Sequence, residues 1–130
     1  MAAPFAKETS WRARIRCFHY AWRGLRLLVA TQWNARIHLA ITLGMILAAW
    51  FFEVTTLEWC ALIIAAMIVW STEALNTAVE FAVDLVSPEH HPLAEKAKDV
   101  AAGAVLVSAA GALIIGIAIL GPRCTRLLLE

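Results

Sequence analysis

The chain has 130 residues, of which 62% are hydrophobic and 16% charged, and its formal net charge is +1. Together with a mean hydropathy of +0.72, this composition lies outside the range of ordinary soluble domains and predicts one membrane-embedded domain over residues 1–130. No nucleic-acid partner is expected.

The first predicted element is an amphipathic helix over residues 11–30. Its apolar residues recur at alternating spacings of 4 and 3 and form one narrow stripe: Trp11, Ile15, Phe18, Trp22, Leu25 and Val29. Arginines lie around the rest of the helix. Modest hydrophobicity with tryptophan anchors is typical of a helix that lies in the membrane interface. Two interpretations stay open, a lid at the membrane surface or a simple anchor.

Three transmembrane helices are predicted after it, over residues 35–53, 58–86 and 99–121. The last contains an uncharged run of 22 residues, 100–121, which is long enough to cross a hydrocarbon core. We therefore predict an all-α membrane protein, with three transmembrane helices preceded by an N-terminal amphipathic interfacial helix. Eight of the eleven Lys and Arg residues precede the first span or lie between the second and third, and a ninth, Arg36, lies at the start of the first span. That distribution predicts a multi-pass protein with a cytoplasmic N-terminus.

The second span carries a stripe of ionisable and polar side chains, Glu73, Asn76, Glu80 and Asp84. Their spacings of 3, 4 and 4 bring them within about 80° of one another on a helix. A charge at the bilayer centre costs at least ~2.5 kcal/mol, so such residues normally face a cavity, a partner or a metal ion. We expect a cationic ligand at this stripe.

A small-residue face repeats every four residues along the third span, at Ala104, Ser108, Ala112 and Gly116. Small residues let helices approach closely in membranes. Because three helices do not easily enclose a polar site, we expect an oligomer. The residues alone leave its size open.

The link before the third span supplies further candidates, namely Glu89, His90, His91, Lys98 and Asp99. The histidines suit either a polar ligand or a solvated turn, and Lys98 suits either a phosphate contact or a topology anchor. Carboxylates with a lysine and a polar loop are typical of a site for a polyphosphate with bound Mg²⁺.

These segments resemble the prokaryotic diacylglycerol kinase and undecaprenol kinase family. The resemblance rests on Glu73-Ala-Leu-Asn-Thr-Ala-Val-Glu-Phe-Ala-Val-Asp84 and on His90-His-Pro-Leu-Ala-Glu-Lys-Ala-Lys-Asp99, with Trp22-Arg-Gly24 and Asn34-Ala-Arg-Ile-His38 before them. The histidine loop and Asn34–His38 are closer to the undecaprenol kinase branch.

The resemblance implies a homotrimer in the bacterial cytoplasmic (inner) membrane that transfers phosphate from ATP, with Mg²⁺, to a lipid alcohol, undecaprenol or diacylglycerol. Glu73 matches the catalytic base and Asn76 the residue that supports it. Glu80 matches a metal ligand, and Gln32 stands where better-known members carry a second metal-binding glutamate. The remaining matches are to nucleotide contacts, at Tyr20, Asp84, Glu89, His90, His91, Lys98 and Asp99.

Two other functions stay open from the residues. Intramembrane carboxylates also suit a cation- or proton-coupled transporter subunit. The stripe lies toward one end of its span, however, whereas a transporter needs its polar site at mid-membrane. A purely structural membrane subunit would need no Glu73.

Overall fold

The computed structural model describes residues 11–129, apart from the side chains of residues 12 and 13. Within that range the chain forms four helices and no strand. In chain order they are α1 (Trp11–Thr31), α2 (Trp33–Phe51), α3 (Thr56–Val86) and α4 (Pro92–Leu129). Helix α1 extends over the predicted interfacial segment, and its apolar stripe is exposed along most of its length.

Helices α1 and α2 meet at a single extended residue, Gln32, with φ −100° and ψ 122°. Arg36, in the first turns of α2, reaches back to the end of α1. Its Nε donates a hydrogen bond to the Val29 carbonyl (2.9 Å) and its Nη2 donates one to the Ala30 carbonyl. The last carbonyls of a helix lack partners within the helix. Arg36 therefore caps α1 and fixes the angle at which α1 leaves the bundle.

The turn between α2 and α3 is a Schellman motif. The Val54 N–H donates to the Ala49 carbonyl (3.1 Å) and the Glu53 N–H to the Trp50 carbonyl (3.2 Å). Glu53 adopts the left-handed conformation, with φ 48°, where glycine is usual. Val54 packs with Ala49 and with Leu62 of α3 in a small buried cluster. This apolar contact across the motif is what ends α2 here.

A capping box and an ion pair fix the start of α3. Thr55 and Glu58 cap each other, as the Thr-x-x-Glu spacing predicts. Both Oε atoms of Glu58 also accept hydrogen bonds from Arg123 of α4, at 2.9 and 2.8 Å. These two residues are 65 positions apart in the chain, and their pairing holds α3 and α4 together at the end of the bundle away from the acidic stripe.

Helices α3 and α4 form the main packing interface, and α2 also packs against α3. Near the middle of α3, the hydroxyl groups of Thr72 and Ser108 are 2.7 Å apart, and the Trp70 indole donates to Thr42 of α2 (3.1 Å). Ser108, which belongs to the small-residue face of α4, thus contacts α3 of the same chain. Satisfying such polar groups between helices is how membrane bundles remain specific.

The predicted fold class is confirmed. Helices α2, α3 and α4 are each long and apolar enough to cross a membrane, and many large apolar side chains are exposed, with no buried residue on α4. Exposed apolar surface of this extent marks contact with lipid or with another subunit. Helix α4 begins well before residue 99, because Pro92 is favoured at a first helical position. Lys98 and Asp99 consequently lie on this helix.

Candidate active site

The acidic stripe of α3 runs from the protein interior to its surface. Glu73 is 1% exposed and Asn76 6%, Glu80 is half-buried, and the side chain of Asp84 is 62% exposed. The four residues share one face, as their spacing predicts. Exposure along the stripe therefore increases from Glu73 to Asp84.

Three buried oxygen atoms near Glu73 have no hydrogen-bond partner among the described residues. They are Glu73 Oε2, Asn76 Oδ1 and Thr77 Oγ1. Leaving a buried polar atom unpaired costs roughly 1–3 kcal/mol, and more when it is charged. Two of the three are obligatory acceptors when Glu73 is ionised. The group of atoms is suited to a ligand that brings a hydrogen-bond donor or a positive charge.

Asn76 connects the buried part of the stripe to its half-buried part. Its Nδ2 donates a hydrogen bond to Glu80 Oε1 at 3.0 Å, one helical turn along α3. This bond fixes the orientation of the Asn76 amide, so that its Oδ1 stays directed away from Glu80 as an acceptor. Asn76 thereby presents an oxygen beside Glu73 and restrains the carboxylate of Glu80.

A cavity of about 300 Å³ lies where α3 ends and α4 begins. Lys98 Nζ donates to Asp84 Oδ1 at 2.5 Å across it. Its lining contains most of the ionisable residues of the link: Asp84, Glu89, His90, His91, Glu95 and Lys98. The structure therefore brings together five of the predicted site residues, Asp84, Glu89, His90, His91 and Lys98, which the sequence places on two helices and a loop.

Three predicted site residues lie elsewhere. Tyr20 is exposed on α1, Gln32 is half-buried at the joint between α1 and α2, and Asp99 is exposed on α4. Within residues 11–129, the lining of the 300 Å³ cavity includes none of these three. In a single chain, Tyr20, Gln32 and Asp99 are therefore separate from the 300 Å³ cavity.

The oxygen atoms of this region suit a hard cation. Residues 11–129 contain no cluster of three or more His, Cys, Asp or Glu side chains that could hold a metal ion. The donors on the stripe are the Glu80 carboxylate and the unpaired Asn76 Oδ1, and Gln32, the other predicted ligand, lies at the joint between α1 and α2. Mg²⁺ typically takes one or two carboxylates and completes its shell with water and substrate phosphates. The donor set fits that pattern and does not form a complete cage.

Sequence reasoning missed two features of the helix bundle. Thr77 is 5% exposed and lies one turn from Glu73 on the same face; its i+4 spacing was the available signal. The second feature is a groove of about 780 Å³ between α2, α3 and α4, lined mostly by apolar residues, with His38 and Thr42 as polar members. A groove shared by three helices has no signature in a single segment.

Comparison with known proteins gives consistent matches. The family model described as prokaryotic diacylglycerol kinase matches residues 19–120. An undecaprenol kinase of Bacillus subtilis (strain 168) is 39% identical over 106 residues, which cover 82% of this chain and 86% of that protein. A diacylglycerol kinase of Synechocystis sp. is 41% identical over 112 residues, covering 85% of this chain and 64% of that protein. The diacylglycerol kinase of Escherichia coli (strain K12) is 33% identical over 101 residues, covering 77% and 82%.

Proposed function

The chain belongs to the prokaryotic diacylglycerol kinase family, and we propose that it transfers the γ-phosphate of ATP to the hydroxyl group of a membrane lipid alcohol. The resemblance read from the sequence is confirmed, and so is the assignment to the lipid kinases. The matched relatives are named as kinases, and the alternative of a coupled transporter subunit receives no support from them.

The buried carboxylate of Glu73, whose Oε2 has no hydrogen-bond partner among the described residues, is the observation that carries the proposal. In the proposed reaction, Glu73 Oε2 accepts the proton of the lipid hydroxyl. The hydroxyl oxygen of the lipid attacks the γ-phosphorus of ATP, and ADP leaves. A general base must lie within hydrogen-bond reach of the proton that it accepts. The unpaired and buried Glu73 Oε2 can accept a hydrogen bond from the lipid hydroxyl. Asn76 restrains the neighbouring Glu80 carboxylate during the reaction.

The cavity beside Lys98 is proposed to hold the phosphates of the nucleotide. Lys98 is part-exposed and paired with Asp84, so its ammonium group can exchange that partner for a phosphate oxygen. Glu89, His90 and His91 line the same cavity and are proposed to contact the nucleotide. Tyr20 and Asp99 are proposed as further contacts on the strength of the family resemblance. Transfer between bound groups depends on such positioning and on charge stabilisation.

Magnesium is proposed to accompany the nucleotide. Glu80 and the carbonyl oxygen of Gln32 would hold it, with Asn76 Oδ1 as a third oxygen donor. When bound, the ion neutralises charge on the phosphates. Gln32 contributes no charge of its own, so we expect Glu80 to provide most of the electrostatic attraction for the ion.

The lipid, the assembly and the orientation complete the proposal. Undecaprenol is the first candidate substrate, because the histidine loop and Asn34–His38 resemble the undecaprenol kinase branch and a relative at 39% identity is named undecaprenol kinase. Diacylglycerol is the second.

We propose a homotrimer in the bacterial inner membrane with a cytoplasmic N-terminus, which agrees with the exposed apolar faces of α4.

The decisive experiment is transfer of labelled phosphate from ATP to undecaprenol and diacylglycerol, assayed side by side in mixed micelles. Glu73→Gln is the inactive control, and Glu53→Gln, which changes an exposed carboxylate at the α2–α3 turn, is the matched active control. We expect phosphorylation of at least one lipid by the parent and by Glu53→Gln. A folded parent protein that binds ATP and phosphorylates neither lipid would refute the proposal.

A further inference from the structure

Helix α1 is buried against the rest of the chain only near its C-terminal end. Leu28 is 4% exposed and Val29 is half-buried, whereas each residue of α1 before Leu28 whose side chain the structure describes is exposed. At a rise of 1.5 Å per residue, Tyr20 lies about 18 Å along the helix axis from Gln32. Helix α1 is therefore a long arm, and the position of Tyr20 depends on the geometry of the joint at Gln32.

Arg36 of α2 bonds to both sides of this joint. Its Nε and Nη2 donate to the adjacent carbonyls of Val29 and Ala30, and its backbone N–H donates to the Gln32 carbonyl at 3.4 Å. Among residues 11–129, Arg36 forms no ion pair with a carboxylate. The last turn of α1 has no basic residue of its own, and the C-terminal end of a helix favours a cation. The guanidinium group of Arg36 thus acts on the end of α1.

The two side-chain bonds of Arg36 restrain the direction of α1 as well as its distance from α2. Arginine presents its donors as a rigid planar fork, whereas lysine carries a single point charge on a flexible stem. One bond alone would leave α1 free to rotate about it. A rotation of about 10° at the joint would move Tyr20 by about 3 Å at the far end of this arm. Misplacing a contact by about 1 Å can cost as much as about 10²-fold in rate.

We propose that Arg36 is a positioning residue for α1: by clamping the joint, it holds Tyr20 and Gln32 where the nucleotide and its metal ion require them. The proposal rests on the roles proposed for Tyr20 and Gln32 above. Arg36 acts through the backbone carbonyls of α1 and contacts neither the nucleotide nor the lipid. Helix α1 is accordingly a fixed arm and not a lid that swings on a free hinge.

The first test measures the geometry of the joint without any activity. Cys17 of α1 and Cys60 of α3 are exposed free cysteines, so both can carry spin labels once Cys124 is replaced by serine. Labelled subunits are diluted with unlabelled ones, and the distance between the two labels is measured in detergent by double electron–electron resonance. The distribution should be narrow in the parent and should widen by about 3 Å or more in Arg36→Met and Arg36→Lys. An unchanged distribution in Arg36→Met would overturn the proposal.

Arg26→Met is the matched control. It removes an arginine from α1 whose guanidinium lies 5.3 Å from the centroid of the Trp22 ring, and it leaves the bonds of Arg36 in place. The distance distribution of Arg26→Met should match that of the parent. A distribution as wide as that of Arg36→Met would show that any loss of charge loosens α1, which would refute the specific clamp.

The second test measures kcat and KM for ATP in the same variants, by labelled-phosphate transfer to the lipid that the parent phosphorylates. Arg36→Met should lower kcat/KM about 10-fold to 100-fold, and Arg36→Lys should lower it to within about threefold of that value, because the charge is kept but the fork is lost. Parent-like kinetics in Arg36→Lys would instead indicate a direct phosphate contact and refute the clamp.

Coupling to Tyr20 separates this proposal from the proposed function. If Arg36 acts by placing Tyr20, Tyr20→Phe should cost less in the Arg36→Met background than in the parent, since residues that act together give non-additive effects. Additive losses would refute positioning through Tyr20. A parent protein that phosphorylates no lipid, but whose label distance still depends on Arg36, would refute the lipid kinase proposal and support the clamp.

Discussion

Replacing Glu73 by glutamine should reduce activity and increase stability at once. Glutamine has nearly the same shape, so the packing around this 1%-exposed side chain is retained. Its amide cannot accept a proton from the lipid hydroxyl. Positioned general bases contribute about 10²- to 10⁴-fold to a rate, so kcat should fall by that factor while KM for ATP changes little.

The stability gain follows from the unpaired atoms around Glu73. The new amide brings N–H donors next to Asn76 Oδ1 and Thr77 Oγ1, neither of which has a partner among the described residues. It also removes a charge that is buried without a committed donor. Satisfying one buried acceptor is worth about 1 kcal/mol, so Glu73→Gln should unfold at a temperature several degrees higher.

The assay combines labelled-phosphate transfer with thermal unfolding in the same detergent. Glu53→Gln is the control for both, because it changes a carboxylate that is exposed at the opposite end of α3. Its kcat and unfolding temperature should match those of the parent. Near-normal phosphorylation by Glu73→Gln would refute its role as the base. A lower unfolding temperature would refute the reasoning from the unpaired oxygens.

Three further predictions concern the phosphates, the metal and the assembly. Lys98→Met should raise KM for ATP by about tenfold, because a point charge next to the phosphates is lost; an unchanged KM would remove Lys98 from the nucleotide site. Glu80→Gln should raise the Mg²⁺ concentration needed for half-maximal activity, and Gln32→Glu should lower it, because hard cations favour charged oxygen ligands. Mg²⁺ titrations of both variants that match the titration of the parent protein would exclude the two residues as ligands. Gly116→Leu should shift crosslinked oligomers toward monomer, since a Cβ at residue 116 meets no atom within 4 Å in the single chain and the bulk would obstruct a partner helix. Unaltered crosslinking would show that this face is not an interface.

The sequence was sufficient for the order of the helices and for the acidic stripe, because both depend on local periodicity, but not for the bounds of α4, which covers Pro92–Leu129 instead of 99–121. The apolar runs and the 3-4-4 spacing from Glu73 to Asp84 each lie within one helix. Helical geometry converts such spacing directly into a shared face. The same holds for the link, where Pro92 and the histidines lie beside Lys98 in the chain.

Contacts between distant segments could not be predicted in this way. Nothing near Arg123 indicates that it pairs with Glu58, and nothing near Trp70 indicates that its indole donates to Thr42 of α2. Which side chains meet depends on how α2, α3 and α4 pack, and a single helical pattern does not contain that information.

The distribution of bonds along α3 explains how the chain retains a buried carboxylate. At the end away from the stripe, the Glu58–Arg123 pair joins α3 to α4, and the Ala49–Val54–Leu62 cluster packs α3 against α2 and the turn between them. At mid-helix the Thr72–Ser108 contact continues the interface. From Glu73 onward, the side-chain bonds are within the stripe or across the cavity, as in Asn76–Glu80 and Asp84–Lys98. Stability is concentrated at one end of the helix pair, and the other end can keep unpaired oxygens for a substrate.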